Sequence, residues 1–223
     1  MQENNKPMQK IDFYRFIEKG LLQGASRYTE YWFCYDHTPA GSKVLDIGSG
    51  KSYLPKAVST KPCEVVALEI DVDCTKYQLA QGIKTVCNTS NYPDGYFDVI
   101  ISASSIEHFD PDYDGDIKMI EEAHRLLKDD GLFIVTLPVS SMYIKNRYAH
   151  TNHPPEKIYS KEEYESRFGK YFKEVVREIW ETSNEQPTEY VPNASWRYVS
   201  TKRTDQLACN TFICAVWKNK CKQ

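Results

Sequence analysis

From Lys43 onward, short apolar runs alternate with longer stretches whose apolar residues recur at helical spacing. KVLDI (43–47), EVVALEI (64–70), KTVC (84–87), FDVIISAS (97–104) and LFIVTLP (132–138) read as strands. KSYLPKAVST (51–60) and DCTKYQLAQG (73–82) read as helices. The clearest helix is DIKMIEEAHRLLKDDG (116–131), where Ile117, Ile120, Ala123, Leu126 and Leu127 form one apolar stripe and Gly131 stands as the stop. Strands that alternate with helices need crossover connections, so the pattern predicts a mostly parallel sheet covered on both faces. Ahead of it, Ile11 to Tyr35 read as one or two aromatic-rich amphipathic helices packed on the domain.

Two stretches break the rhythm: SSMYIKNRYAHTNHPPEKIYS (140–160) and TSNEQPTEYVPNASWRYVSTKRTD (182–205). The second separates two late strands, KEVVREIW (173–180) and TFICAVWKN (211–219). Long irregular insertions in a compact domain usually serve function or are disordered. The 223-residue length suits one α/β domain, divided into an N-terminal helical cap (1–40), a core (41–138) and a final part carrying the insertions and late strands (139–223).

Charge narrows the function classes. With 28 basic and 31 acidic side chains, no global positive field favours nucleic acid or an anionic membrane. The seven cysteines form no CxxC pair and no clustered metal spacing, so free thiols and no bound metal are expected. Neither a leader nor a membrane-spanning run is recognisable, and the expectation is a soluble cytoplasmic protein. The oligomeric state cannot be read from the chain.

The segment VLDIGSGKSYLP (44–55) contains GSGKS, which invites a nucleotide reading. A triphosphate loop needs a glycine where Leu45 stands, inside a strand. A dinucleotide turn needs a third glycine where Tyr53 stands, and tyrosine would crowd helix against strand. A third reading uses more of the segment. Asp46 closes a strand, Gly48-Ser49-Gly50 brings backbone close to a ligand, and a helix starting at Ser52 points N–H groups at a carboxylate. Glu69, at the end of the second strand, can accept both hydroxyls of a ribose. The plainer alternatives are that Asp46 caps a helix, Glu69 is a solvated strand-end charge and Asn88 is a turn residue.

VLDIGSGKSYLP, VVALEID, NTSNYPDGYFDVIISASSIEHF and IEEAHRLLKDDGLFIVTLP, in this order between Lys43 and Pro138, resemble the motifs of class I, Rossmann-like S-adenosylmethionine-dependent methyltransferases of the type 11-like group. The resemblance implies a three-layer α/β sandwich with a mostly parallel seven-stranded sheet whose last strand is antiparallel, the two late strands forming its final hairpin. It implies S-adenosylmethionine as cofactor. The implied cofactor contacts are Gly48, Ser49 and Gly50 by backbone, Asp46 near the amino end of the methionine, Glu69 with Ile70 at the ribose, Asn88 and Thr89 beside adenine, and Ser102. The family more often has aspartate where Asn88 stands; an amide can still accept from the adenine amino group and donate to a ring nitrogen.

For the chemistry, His108 in SSIEHFD follows the fourth strand, where the ligand crevice of an open α/β sheet lies, and is the candidate general base. His150 and His153 are rivals on the first insertion, where Tyr143, Lys145, Arg147 and Tyr148 offer aromatic faces and cationic donors to an acceptor. Local packing in a solvated loop is the equal alternative. His124 belongs to a helix face, and His37 has no informative context. Arg27, with Tyr28 and Tyr31, is a candidate lid over the cofactor carboxylate, core packing being the competing reading. SASSIEH stands where DNA and protein-glutamine amino-methyltransferases carry [DNS]PP[YFW], so the acceptor class is a small polar molecule such as a sugar, a sugar nucleotide or a metabolite. Oxygen is the favoured acceptor atom, with nitrogen and carbon open. The competing readings are a methyltransferase-like binding module without catalysis and a nicotinamide-dependent dehydrogenase.

Overall fold

The computed structural model describes residues 8–17, 26–110, 114–147, 155–183, 200–208 and 211–222. Strands β1 (Lys43–Ile47), β2 (Glu64–Leu68), β3 (Lys84–Val86), β4 (Phe97–Ala103), β5 (Leu127–Val139), β6 (Phe172–Ser183), β7 (Ser200–Thr204) and β8 (Thr211–Asn219) form one sheet in the order β3-β2-β1-β4-β5-β8-β6-β7. The strands from β3 to β5 pair in parallel, whereas β8 runs antiparallel to both β5 and β6. The chain leaves β1 through β2 to β3 on one side and then resumes with β4 on the other. The crevice between the carboxyl ends of β1 and β4 is therefore the topological switch point, where open α/β sheets bind ligands.

Alternation along the strands fills two cores. Val44, Val99 and Ile101 face α1 (Lys10–Ile17), α2 (Ser26–Asp36) and α3 (Leu54–Val58), which contribute Phe13, Phe33, Tyr35 and Leu54. Leu45, Ile100 and Phe133 face α5 (Gly115–Leu126) and α6 (Lys161–Gly169), which contribute Ile120, Ala123, Tyr164 and Phe168. The sheet is thus covered on both faces because its residues are apolar in both directions, each fully buried side chain contributing about 1.5–3 kcal/mol. Helix α4 (Val72–Ala80) starts at Asp71, whose carboxylate accepts from the N–H of Asp73 and Cys74.

Four local features depart from the sequence reading. Among the described residues the sheet has eight strands rather than seven: β7, with the polar sequence STKRT, lies in the second insertion and pairs with β6 at the sheet edge. An edge strand has no second face to bury, so it carries no apolar alternation to read. Helix α3 begins at Leu54, not Ser52, with Tyr53 as its cap residue and Pro55 in its first turn. Residues 48–53 are spent on the turn around the glycines, whose positive φ angles are incompatible with helix. Leu127 leaves the helical stripe and opens β5, opposite Phe97, and Gly131 is not a helix stop. A side chain there would lie 2.9 Å from the Lys128 carbonyl oxygen, so glycine permits a close turn of the backbone. Finally, α6 has no counterpart in the sequence reading, although Ser160 with Glu163 spells a capping signal; the Ser160 hydroxyl accepts from the Glu163 N–H.

Candidate active site

Gly48 opens the turn after β1 with φ +66°, and its N–H donates to the Leu68 carbonyl at 2.8 Å. A Cβ there would sit 1.8 Å from the Ser105 hydroxyl oxygen, so the segment after β4 touches the β1 turn only because this residue has no side chain. Gly50 has φ +53° and open space around it, so only its backbone conformation calls for glycine. The amide of Gln78, fully buried on α4, donates to the carbonyls of Gly50 and Ser52 at 2.8 and 2.9 Å and holds the turn from beneath.

Glu69 ties this turn to the end of β2. Its Oε2 accepts from the Gly50 N–H at 2.8 Å, and its Oε1 accepts from Ile70 and Asp71 at 2.8 and 2.9 Å. A carboxylate has about four acceptor positions, so roughly one, on Oε2, is left for another donor. Asp46 is buried at the end of β1, and burial, followed by the charge of Glu69, pushes its carboxyl up to about 8. Ser49 and Ser102 are buried, and their hydroxyls have no hydrogen-bond partner.

A cleft of about 620 Å³ lies beyond β1, β2 and β4. Gly48, Glu69, Ile70, Asn88, Thr89 and His108 line it, together with Leu68, Phe109 and Met119, which sequence reasoning did not single out. Its walls are mainly apolar, and Ile70 is 83% exposed beside it, an unusual state for a large aliphatic side chain. Within the cleft Asn88 behaves as a turn residue: its Oδ1 accepts from the Ser90 N–H and hydroxyl at 3.2 and 2.6 Å. The Thr89 hydroxyl donates to Glu122. The size and the pairing of apolar walls with one carboxylate suit an adenosyl ligand, and the backbone at Gly48 can approach it without steric cost.

A second cavity of about 340 Å³ adjoins the first and is polar. Arg27, Glu30, Glu107, Arg147 and Glu156 line it, and Ser104 and His108 belong to the walls of both cavities. Arg27 pairs with Glu30 at 2.9 Å, and the same Glu30 oxygen accepts the hydroxyls of Ser104 and Thr136. Arg27 lines the polar cavity and is not among the residues that line the larger cleft. Tyr28 packs edge-on against Tyr14, and burial, with the neighbouring carboxylates, pushes the Tyr31 phenol up to about 12. Glu107 is 2% exposed; burial, aided by Glu30 and Glu156 and opposed by Arg27, pushes its carboxyl up to about 8.

His108 ends the 3-10 turn Ile106–His108 and points its Nδ1 at the Pro155 carbonyl, 2.8 Å away. A carbonyl only accepts, so Nδ1 carries a proton, and in the neutral ring Nε2 is the nitrogen with the lone pair. The segment supplying that carbonyl is anchored by a buried network. Lys157 donates to Asp116, which also accepts from Tyr159 and Arg167 at 2.9 Å, and the Lys157 N–H donates to the Glu107 carbonyl.

Of the other sequence candidates, Arg147 lines the polar cavity and lies 3.8 Å from Glu156. Tyr143 lines neither cavity; it lies against Tyr159 and under the Arg167 guanidinium. Asp46, Ser49, Gly50 and Ser102 are not among the residues that line either of these two cavities. Tyr148, His150 and His153 lie outside the described residues. His124 hydrogen-bonds Asn219 and His37 the Phe33 carbonyl, both as structural contacts. Glu107 went unread although it stands next to His108 in the IEH turn. Glu30 and Glu156 carry no sequence signal, being single acids in unrelated segments. No helix among the described residues is long and apolar enough to cross a membrane.

Comparison with known proteins adds the family context. A family profile described as a methyltransferase domain matches residues 18–175. Comparison with curated protein sequences gives no significant match. Among solved structures, the chain is similar to Burkholderia thailandensis 1,6-didemethyltoxoflavin-N1-methyltransferase with bound 1,6-didemethyltoxoflavin and S-adenosylhomocysteine (15% identity, 88% of this chain and 79% of that one, TM-score 0.63). It is also similar to a TehB-like S-adenosylmethionine-dependent methyltransferase of Corynebacterium glutamicum (16% identity, 86% and 87%, TM-score 0.55). A third similar chain comes from the Haloferax volcanii complex between the Trm112 methyltransferase activator and a methyltransferase (15% identity, 88% and 93%, TM-score 0.58). At these identities the likeness is one of fold.

Proposed function

The chain belongs to the methyltransferase family, with S-adenosylmethionine as its cofactor, and from that premise we propose that it methylates an oxygen of a small polar acceptor, such as a sugar or a polar metabolite, held in the 340 Å³ cavity. The observation that carries this reading is the common wall: Ser104 and His108 line both the apolar cleft and the polar cavity, so a donor in one and an acceptor in the other meet there.

When bound, the cofactor supplies a methyl group activated by a sulfonium. The residues mainly have to align the partners, and orientation of this kind can contribute about 7–11 kcal/mol. Gly48 admits backbone to the ligand and Gly50 shapes the turn that carries it, Leu68, Ile70, Phe109 and Met119 cover the adenine face, and Asn88 and Thr89 border it. Glu69 offers its remaining acceptor capacity to a ribose hydroxyl while its other contacts hold the glycine turn. Asp46, largely protonated near neutral pH, becomes charged beside the ammonium of the methionine moiety. His108 takes the proton of the attacking hydroxyl at Nε2, the Pro155 carbonyl keeping the ring in the tautomer that can do so. Arg27 and Arg147 border the acceptor.

Calorimetry with S-adenosylmethionine, S-adenosylhomocysteine and NAD tests the reading. Binding heat with the first two and none with NAD is expected; folded protein that binds neither adenosyl ligand would overturn it.

A further inference from the structure

The polar cavity has one carboxyl more than its contacts use. Arg27 is committed to Glu30, and Arg147 faces Glu156. With those four groups set against one another, Glu107 is the carboxyl left over in the lining. It is 2% exposed, and its Oε2 has no hydrogen-bond partner. Buried polar atoms are satisfied in the great majority of cases, so an orphaned carboxyl oxygen in a cavity wall marks a position where a ligand supplies the missing donor.

We propose that the acceptor carries a cationic nitrogen group, a primary amine or an amidine, that pairs with Glu107 while the atom to be methylated lies toward His108 and Ser104. This rests on the polar cavity being the acceptor site. Charge selects a cation over the other polar groups. A phosphate or carboxylate would enter a lining of three carboxyls whose two arginines already face acids, and a neutral hydroxyl would offer the buried Glu107 carboxyl no charge to draw it into the ionised form. Burial holds the Glu107 carboxyl up near 8 in the absence of a partner, and an adjacent cation returns it to the charged form. The neighbouring His108 is compatible with this, since its Nδ1 is occupied by the Pro155 carbonyl and its Nε2 is an acceptor in the neutral ring.

The experiment uses the full chain saturated with S-adenosylhomocysteine and two matched probe pairs, D-glucosamine against D-glucose and tyramine against 4-(2-hydroxyethyl)phenol, with binding read by saturation-transfer NMR. The amine of at least one pair should bind about tenfold or more tighter than its hydroxyl partner. Glu107→Gln, which keeps the shape and removes the charge, should abolish that preference while leaving S-adenosylhomocysteine affinity unchanged. Equal binding within both pairs, binding of no probe at all, or a preference that survives Glu107→Gln overturns the proposal. Calorimetry with S-adenosylhomocysteine, run first on the wild type, separates this failure from failure of the cofactor site itself.

Discussion

The Nδ1–H of His108 donates to the carbonyl oxygen of Pro155 at 2.8 Å, across 47 residues of chain. That bond decides which ring nitrogen can receive a proton, and it holds the imidazole at the junction of the two cavities. His108→Ala should lower kcat by about 10²–10⁴-fold for a hydroxyl acceptor and flatten the rise of rate with pH that a base requires. Cofactor affinity should change little. Wild-type turnover in the variant would move the proton-accepting role to another group.

Glu69 works in two directions, toward the glycine turn and toward the cleft. Glu69→Ala removes both, and loss of a charge-assisted bond of about 1.5–3 kcal/mol should weaken S-adenosylhomocysteine binding about 10- to 100-fold. Calorimetry measures it directly. Unchanged affinity would reduce Glu69 to a clasp for the turn.

The two glycines should respond differently to alanine. Gly50→Ala meets no neighbour and loses only the left-handed backbone preference, about 1–2 kcal/mol. Gly48→Ala adds to that a collision with the Ser105 side chain and should cost about 1–3 kcal/mol more. Urea denaturation of both variants, and of Gly48→Ala combined with Ser105→Gly, checks the assignment. The double variant should recover part of the loss.

Asp46 and Glu107 give stability a common pH dependence. Each is a carboxyl whose folded value, about 8, lies above its ordinary 3.8 or 4.5, because the fold buries it near other acids: Glu69 for Asp46, Glu30 and Glu156 for Glu107, the last opposed by Arg27. A raised carboxyl favours the folded state fully below its unfolded value and loses that contribution as pH rises through its folded value. Stability of the free protein should therefore fall between about pH 4 and 8, by at most about 1.4 kcal/mol per pH unit for each group. Thermal unfolding at several pH values should show the fall, and Glu107→Gln should make it shallower and raise Tm at pH 8. A flat wild-type profile would contradict the burial of unpaired acids.

The elements that carried a local pattern were legible from the chain alone. Alternating apolar runs located β1 to β5, and an acid before a Gly-x-Gly turn located the crevice after β1, because strand pleat, helix period and left-handed turns are properties of neighbouring residues. The strand STKRT depended on its surroundings, since β7 exists through its pairing with β6, whereas the Asn88 turn is a local contact with Ser90 two residues on, which the chain already offered as a reading. The charge of the polar cavity is likewise a tertiary fact. Glu30, Glu107 and Glu156 come from three separate stretches of the chain, and folding brings them together in one lining. The sequence determines how many acids the chain has, but burial and partner choice determine which of them stays unpaired, since the energy of a charge depends on what replaces its water.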